Sequence, residues 1–223
     1  MEWDPFILTF KLAAVTTVVL FALCIPLAYW LTYSRYKIKY VIETLVSLPL
    51  ILPPSVLGFY LLLAFSPQNA FGKFLDRYFD VRLVFTFEGL VIASILYSLP
   101  FMVQPVHNGF RMLPSSLLEA SYTLGKGRTT TLIKVLLPNI RTSLITGTVL
   151  SFGHTVGEFG VVLMVGGNIP AETRVVSIAL YDKVEAMQYE QANIYAITLL
   201  GFAFLTLSIV YMVNHRHRLT NVS

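Results

Sequence analysis

The sequence predicts an all-α membrane protein of five transmembrane helices, with its N-terminus outside and its C-terminus in the cytoplasm. Composition gives the class: 56% of the residues are hydrophobic and 13% are charged, about half the ~25% charge of a soluble domain. The mean hydropathy is +0.70, and five apolar stretches approach the ~20 residues that cross a bilayer as a helix. The placement of Lys and Arg gives the orientation.

A chain of 223 residues has room for one bundle, a single domain over its whole length. A net charge of +4 and a pI of about 9.2 would suggest nucleic acid in a soluble chain. Here the basic residues flank apolar runs, so no nucleic-acid partner is expected. The lone Cys24 lies inside an apolar run, which excludes an intramolecular disulfide and a cysteine metal cluster. It is expected to be a small lipid-facing or packing residue, and neither a metal site nor a cofactor is expected.

The first span runs from Leu12 to Thr32. Glu2 and Asp4 precede it with no early basic cluster, and the apolar run is too long for a signal-peptide core, so it is expected to stay in the mature protein. The second span, Val41 to Phe65, carries Pro49, Pro53 and Pro54. Each proline removes a backbone donor, and a helix broken at membrane depth persists only where protein or a water-filled cavity satisfies its carbonyls. Three prolines mark a pathway more strongly than a packing kink. Phe87 to Val106 is the third span, Ser143 to Val165 the fourth and Ile194 to Val213 the fifth. Phe71 to Phe79 and Val175 to Gln191 mix apolar and charged residues at helical spacing. They read either as helices along the outer interface or as loop helices packed on the bundle.

With the N-terminus outside, the inner segments hold Arg35, Lys37, Lys39, Arg111, Lys126, Arg128, Lys134, Arg141, Arg216 and Arg218. The outer segments hold Lys73, Arg77, Arg82, Arg174 and Lys183, and Lys11 sits at the edge of the first span. Ten against five fixes the orientation. Acidic residues agree, with only Glu43 and Glu119 inside. His107 lies at a membrane border, and His215 and His217 in the basic tail are expected to serve orientation alone.

In the fourth span Gly153, Gly157 and Gly160 are spaced so that a second helix can approach closely. His154 and Glu158 are one turn apart and can hydrogen-bond along one helix face. An ionisable residue within a span is costly and commonly faces the interior, which makes Glu158 a functional candidate. Ser151 and Thr155 can line a polar path without charge.

The inner segment from Asn108 to Arg141 reads as a folded hairpin. Pro114 suits a first helical turn, Leu117, Leu118, Ser121, Tyr122 and Leu124 continue it, and Gly125 is placed to end it in the left-handed conformation. Thr129 is expected to cap a second helix that runs to Leu137 and stops against Pro138. So short a helix is marginal alone and needs a surface. That surface is either a partner's, with Glu119, Lys126 and Arg128 as a polar rim, or that of its own bundle.

Glu119-Ala120-Ser121, Gly125 and Val135-Leu136-Leu137-Pro138 together resemble the EAA motif of ABC importer permeases, E-A-A-x3-G-x9-I-x-L-P. Ser121 replaces the second alanine and Val135 the isoleucine. The resemblance implies a type I importer fold, with the hairpin docking in a cleft of a separate ATP-binding cassette subunit through Glu119, Ala120, Ser121, Gly125, Leu137 and Pro138. Leu48-Pro49-Leu50-Ile51-Leu52-Pro53-Pro54, Gly157-Glu158-Phe159-Gly160 and the run from Gly167 to Arg174 resemble the molybdate permease branch, to which sulfate permeases are close. The implied partners are a second copy of the chain, ATP-binding subunits, an external molybdate-binding protein and membrane lipid, at the plasma membrane.

A carboxylate repels an anionic solute, so Glu158 is expected to act as a gate or helix-pairing residue, with a plain structural role equally open. Pro49, Pro53, Pro54, Ser151, Thr155 and Glu158 are the pathway or gate candidates. Arg174 and Glu172 face the binding protein or form a solvated loop pair. The chain has no G-x-x-x-x-G-K-[ST] phosphate loop, so it is expected to transport without catalysing ATP hydrolysis itself. Sulfate, thiosulfate and tungstate remain alternative solutes. An ion-coupled carrier would show inverted halves and more buried charge, and a haem subunit would show paired ligand histidines; neither pattern is found in the sequence.

Overall fold

The computed structural model describes residues 2–220, with side chains to residue 213. His215, Arg216, His217 and Arg218, with their expected orienting role, lie beyond the described side chains. Every regular element among the described residues is helical. Three helices are long and apolar enough to cross a membrane, or up to five if each of two bent pairs counts as one span.

Helix α1 (Asp4–Tyr33) has Pro5 in its first turn, where the missing N–H costs no helical bond. Its 30 residues extend ~45 Å, beyond the ~30 Å hydrocarbon core, so it begins eight residues before the expected Leu12. Helix α2 (Ile38–Ser47) passes through a 3₁₀ turn, Leu48–Leu50, and α3 (Pro54–Phe65) leaves at 111°. The single span expected from Val41 to Phe65 is therefore two helices. The cause is Pro53-Pro54: a residue before proline is pushed to extended backbone, and Pro53 has ψ 136°.

Helix α4 (Ala70–Phe79) ends on left-handed Asp80. Helix α5 (Phe87–Arg111) starts at Thr86, whose hydroxyl accepts from the Gly89 N–H at 3.2 Å, satisfying one orphan donor of the first turn. The hairpin follows as α6 (Ser115–Thr123), α7 (Arg128–Thr131), a π turn at Leu132–Leu136 and α8 (Leu137–Asn139). Helix α9 (Arg141–Gly157) departs at 77°. Next come α10 (Gly160–Gly166), α11 (Val176–Glu185) and α12 (Tyr189–Thr220). The expected fourth span thus breaks as well, at extended Glu158, which has φ −68° and ψ 136°.

Helix α5 is central, packed on α1, α9 and α10, while α10 also lies on α3 and α12 lies on α9 and α11. Leu20, Cys24, Ala28, Met102, Val106, Phe110 and Leu136 form the largest apolar cluster, which makes Cys24 a packing residue. Helix α11 buries Val176, Ser177, Ile178 and Ala179, and the Val176 N–H donates to Thr9 Oγ1 at 2.9 Å. Its first half therefore packs on the bundle. Helix α4 instead buries only Gly72 and exposes Phe71, Phe74 and Tyr78.

The three glycines do not share one neighbour. A Cβ on Gly153 would lie 2.5 Å from Thr206 on α12, and one on Gly160 would lie 2.7 Å from the Pro54 side chain on α3; nothing approaches Gly157 within 4 Å. The helix break at Glu158 places Gly160 on a different helix from Gly153 and Gly157. Gly160→Ala is expected to destabilise the detergent-solubilised protein by about 1–3 kcal/mol, the usual result of overpacking, read as a lower unfolding temperature, whereas Gly157→Ala should change it little.

Candidate functional site

The two breaks in the apolar helices meet. Pro54 sits against Gly160, and Gly58 on α3 against Val161 and Met164 on α10. Pro49 is half-buried in the 3₁₀ turn, Pro53 is exposed, and Ile51 between them is 86% exposed. The chain thus presents an irregular, proline-rich edge whose freed carbonyls need water or another protein surface.

Behind this edge lies a buried polar cluster. Glu158 is 4% exposed; its Oε2 accepts from Ser94 Oγ at 2.9 Å, and its backbone carbonyl accepts from Ser177 Oγ at 2.5 Å. Helices α5 and α11 therefore hold the break from two sides. Oε1 of Glu158 and Oγ of Ser151 are buried without a hydrogen-bond partner, an arrangement costly enough to ask for an explanation.

His154 does not pair with Glu158. Its Nδ1 bonds Ser98 Oγ at 2.9 Å, Ser98 also meets Thr155 Oγ1 at 3.0 Å, and Thr155 donates to the Ser151 carbonyl at 2.9 Å. The extended backbone at Glu158 turns its side chain off the face that His154 occupies. The imidazole instead stacks on Phe101 at 3.9 Å between ring centroids and tilts against Tyr97 at 4.8 Å. Ser94, Ser98 and Ser177 are the members that sequence reasoning missed. The i, i+4 spacing of Ser94 and Ser98 on a predicted span was the available signal.

A second polar contact joins α2 to α5. Gln104 donates to Ser47 Oγ at 3.3 Å, and His107 Nδ1 stands 3.7 Å from Glu43 Oε1. These groups line a cavity of about 230 Å³. At the other end, Arg174 donates to Asn168 Oδ1 at 2.6 Å and pairs with Asp182 at 3.6 Å and Glu2 at 3.8 Å. Its partners are thus these three groups, and the pairing with Glu172 is not observed.

In the hairpin, Gly125 has φ +70°. Its N–H donates to the Tyr122 carbonyl at 2.9 Å, and that of Lys126 donates to Ser121 at 3.1 Å, the paired bonds of a Schellman motif. Pro114 precedes the helix as its N-cap instead of lying in its first turn. Gly127, and not Thr129, is the N-cap of α7. The second arm also does not stop at Leu137: the π turn widens the helix before Pro138 and carries it to Asn139, as such bulges do where a regular bond is lost. Glu119, Ala120 and Pro138 are exposed and Leu137 is half-buried. Ser121 is buried and bonds Thr131 Oγ1 at 2.8 Å, so the serine that replaces alanine ties the two arms together from inside. The outer surface is apolar at Met112, Leu124 and Ile133, which are 85%, 74% and 56% exposed.

This helical fold is shared with solved ABC importers. A chain of a bacterial ABC transporter involved in the import of the acidic polysaccharide alginate superposes with a TM-score of 0.75 at 20% identity, covering 96% of this chain and 78% of that one. A chain of the MetNI methionine ABC transporter gives 0.67 at 18% identity, with 94% of each covered. Residues 11–219 match the model of the binding-protein-dependent transport system inner membrane component, and the chain belongs to this family of ABC importer permease subunits in the inner membrane. It is 47% identical over 204 residues to the molybdenum transport system permease protein ModB of Azotobacter vinelandii, covering 92% of this chain and 90% of that protein. It is 34% identical over 181 residues to the sulfate transport system permease protein CysT of Salmonella typhimurium, covering 81% of this chain and 65% of the relative.

Proposed function

We propose that the chain moves molybdate across the inner membrane as one half of a homodimeric pathway, driven by a separate ATP-binding subunit and supplied by an external molybdate-binding protein. The identity of 47% to a molybdenum permease, extending over 92% of the chain, carries the reading. The domain is single, with five spans, its N-terminus outside and its hairpin in the cytosol, as the Lys and Arg distribution supports.

Pro49, Pro53 and Pro54 border the path, with the exposed edge at Ile51 and Pro53 turned toward the second copy across a two-fold axis. Ser151 and Thr155 are the polar pathway candidates, and Glu158 is a gate residue that links α5, the break and α11. It does not bind the substrate, since its carboxylate would repel an oxyanion. The hairpin docks on the ATP-binding subunit through Glu119, Ala120, Leu137 and Pro138, with Gly125 holding its turn and Ser121 its interior. Closure of the motor then biases the spans between two openings.

Proteoliposomes holding the permease and its ATP-binding subunit, given binding protein and molybdate, are expected to accumulate molybdate only with ATP inside. Uptake driven by an ion gradient without ATP would overturn the importer reading. Preferential sulfate accumulation would replace the substrate while leaving the mechanism.

A further inference from the structure

At the root of the hairpin, the last turns of α1, the segment after it and helices α6 and α7 border an open cavity of about 660 Å³. Tyr29, Trp30, Tyr33 and Tyr122 form an aromatic wall, and Arg35 and Arg128 are the charged residues of the lining. Among the described residues neither guanidinium is paired with a carboxylate. Tyr33 Oη is buried without a hydrogen-bond partner. Its ring is fixed by Tyr29 at 4.9 Å and Phe110 at 6.2 Å between centroids, so the hydroxyl is held in place with nothing to bond. Tyr29 interacts across the cavity with Tyr122 of the hairpin. The tyrosines, Trp30 and Arg35 have no part in the pathway or in the docking set, and Arg128, a rim residue of the hairpin turn, lines this cavity.

We propose that this cavity binds the phosphate headgroup of an anionic phospholipid from the adjoining leaflet. Two unpaired guanidiniums are the donors that match a phosphate in the bidentate manner, and the Tyr33 hydroxyl supplies a third group. A basic pocket between helices at the inner face is the arrangement that takes anionic headgroups, and Trp and Tyr mark the headgroup level. The size favours a lipid over a lone oxyanion: at ~30 Å³ per water, the cavity holds about twenty waters. It also opens beside a helix longer than the hydrocarbon core is thick, where acyl chains lie close. A bound headgroup would bridge α1, through Tyr33 and Arg35, to the hairpin, through Tyr122 and Arg128, and so fasten the coupling element to the bundle. The inference rests on the proposed insertion with this end of α1 at the inner face; it does not depend on which solute is moved.

The full chain, in phosphatidylcholine nanodiscs carrying a minor fraction of phosphatidylglycerol, is to be released and its retained lipid weighed by native mass spectrometry. Phosphatidylglycerol is expected to be enriched over phosphatidylcholine. Arg35→Gln with Arg128→Gln is expected to lower that enrichment by about 5-fold per arginine, and Tyr33→Phe, which keeps the ring packing, should lower it more modestly. Equal retention by wild type and variants would overturn the proposal. Displacement by millimolar inorganic phosphate would assign the cavity to free anions, and displacement by added ATP-binding subunit would assign it to that partner; either result overturns the lipid site. Because lipid retention is read without transport, a negative result here stays distinct from failure of the uptake assay.

Discussion

Gly125→Val is expected to leave membrane insertion intact and to separate ATP hydrolysis from uptake. Gly125 sits at φ +70° with no heavy atom within 4 Å of where a Cβ would stand, so the substitution meets no steric obstacle and acts through backbone strain alone. A residue with a Cβ loses ~1–2 kcal/mol in the left-handed region, and β-branching makes it a genuine outlier. The equilibrium constant for forming the turn that joins α6 to α7 would then fall about 5–30-fold. Uptake is expected to fall by up to that factor while ATPase activity of the assembled complex persists. Asparagine tolerates this conformation, so Gly125→Asn should retain most of the uptake. Normal uptake in the valine variant would count against the docking role.

Glu158→Gln is expected to reduce uptake at least tenfold with little loss of assembled complex. The amide oxygen can still accept from Ser94, and the backbone carbonyl that Ser177 holds is untouched. What changes is the group at Oε1, which is buried and unpartnered. Glu158→Ala removes the Ser94 bond as well, leaving a buried hydroxyl to find another acceptor, at a cost of about 1–3 kcal/mol. Assembly should therefore suffer more in the alanine variant than in glutamine. Quantifying complex by size exclusion beside uptake in the same membranes separates the two effects; parallel loss of both in Glu158→Gln would reduce the residue to a structural pin.

The helical class, the third span and the left-handed turn at Gly125 were legible in the sequence because each rests on a local rule. Hydropathy sums over a window, and a glycine directly after a helix-forming run that closes on Leu124 is a strong signal for a Schellman end. The breaks were only half legible. Pro53-Pro54 announced an interruption, yet its 111° bend depends on where α10 stands to receive it. Glu158-Phe159 has no proline at all: the chain leaves the helix there while Ser94 and Ser177, 64 and 19 residues away in sequence, hold the exposed groups. Ser94 shares a helical spacing with Ser98, but no local spacing ties Ser94 or Ser177 to this break. The same reason explains the misplaced His154 bond and the glycine stripe, both of which assumed that one helix continued. Ser121 was legible as a position in a motif, but its inward direction needed Thr131 to be in place.

The contact between Pro54 and Gly160 also bears on how the chain is made. Their separation is 106 residues, so at ~5–20 residues per second of synthesis the first break emerges from the ribosome roughly 5–20 s before its counterpart. During that interval the nascent segment has no α10 to lean on, and lipid offers nothing to its bare carbonyls. The second hydrophobic segment must therefore wait, either in a straighter form or sheltered within the insertion machinery, and acquire its bend only when the fourth arrives.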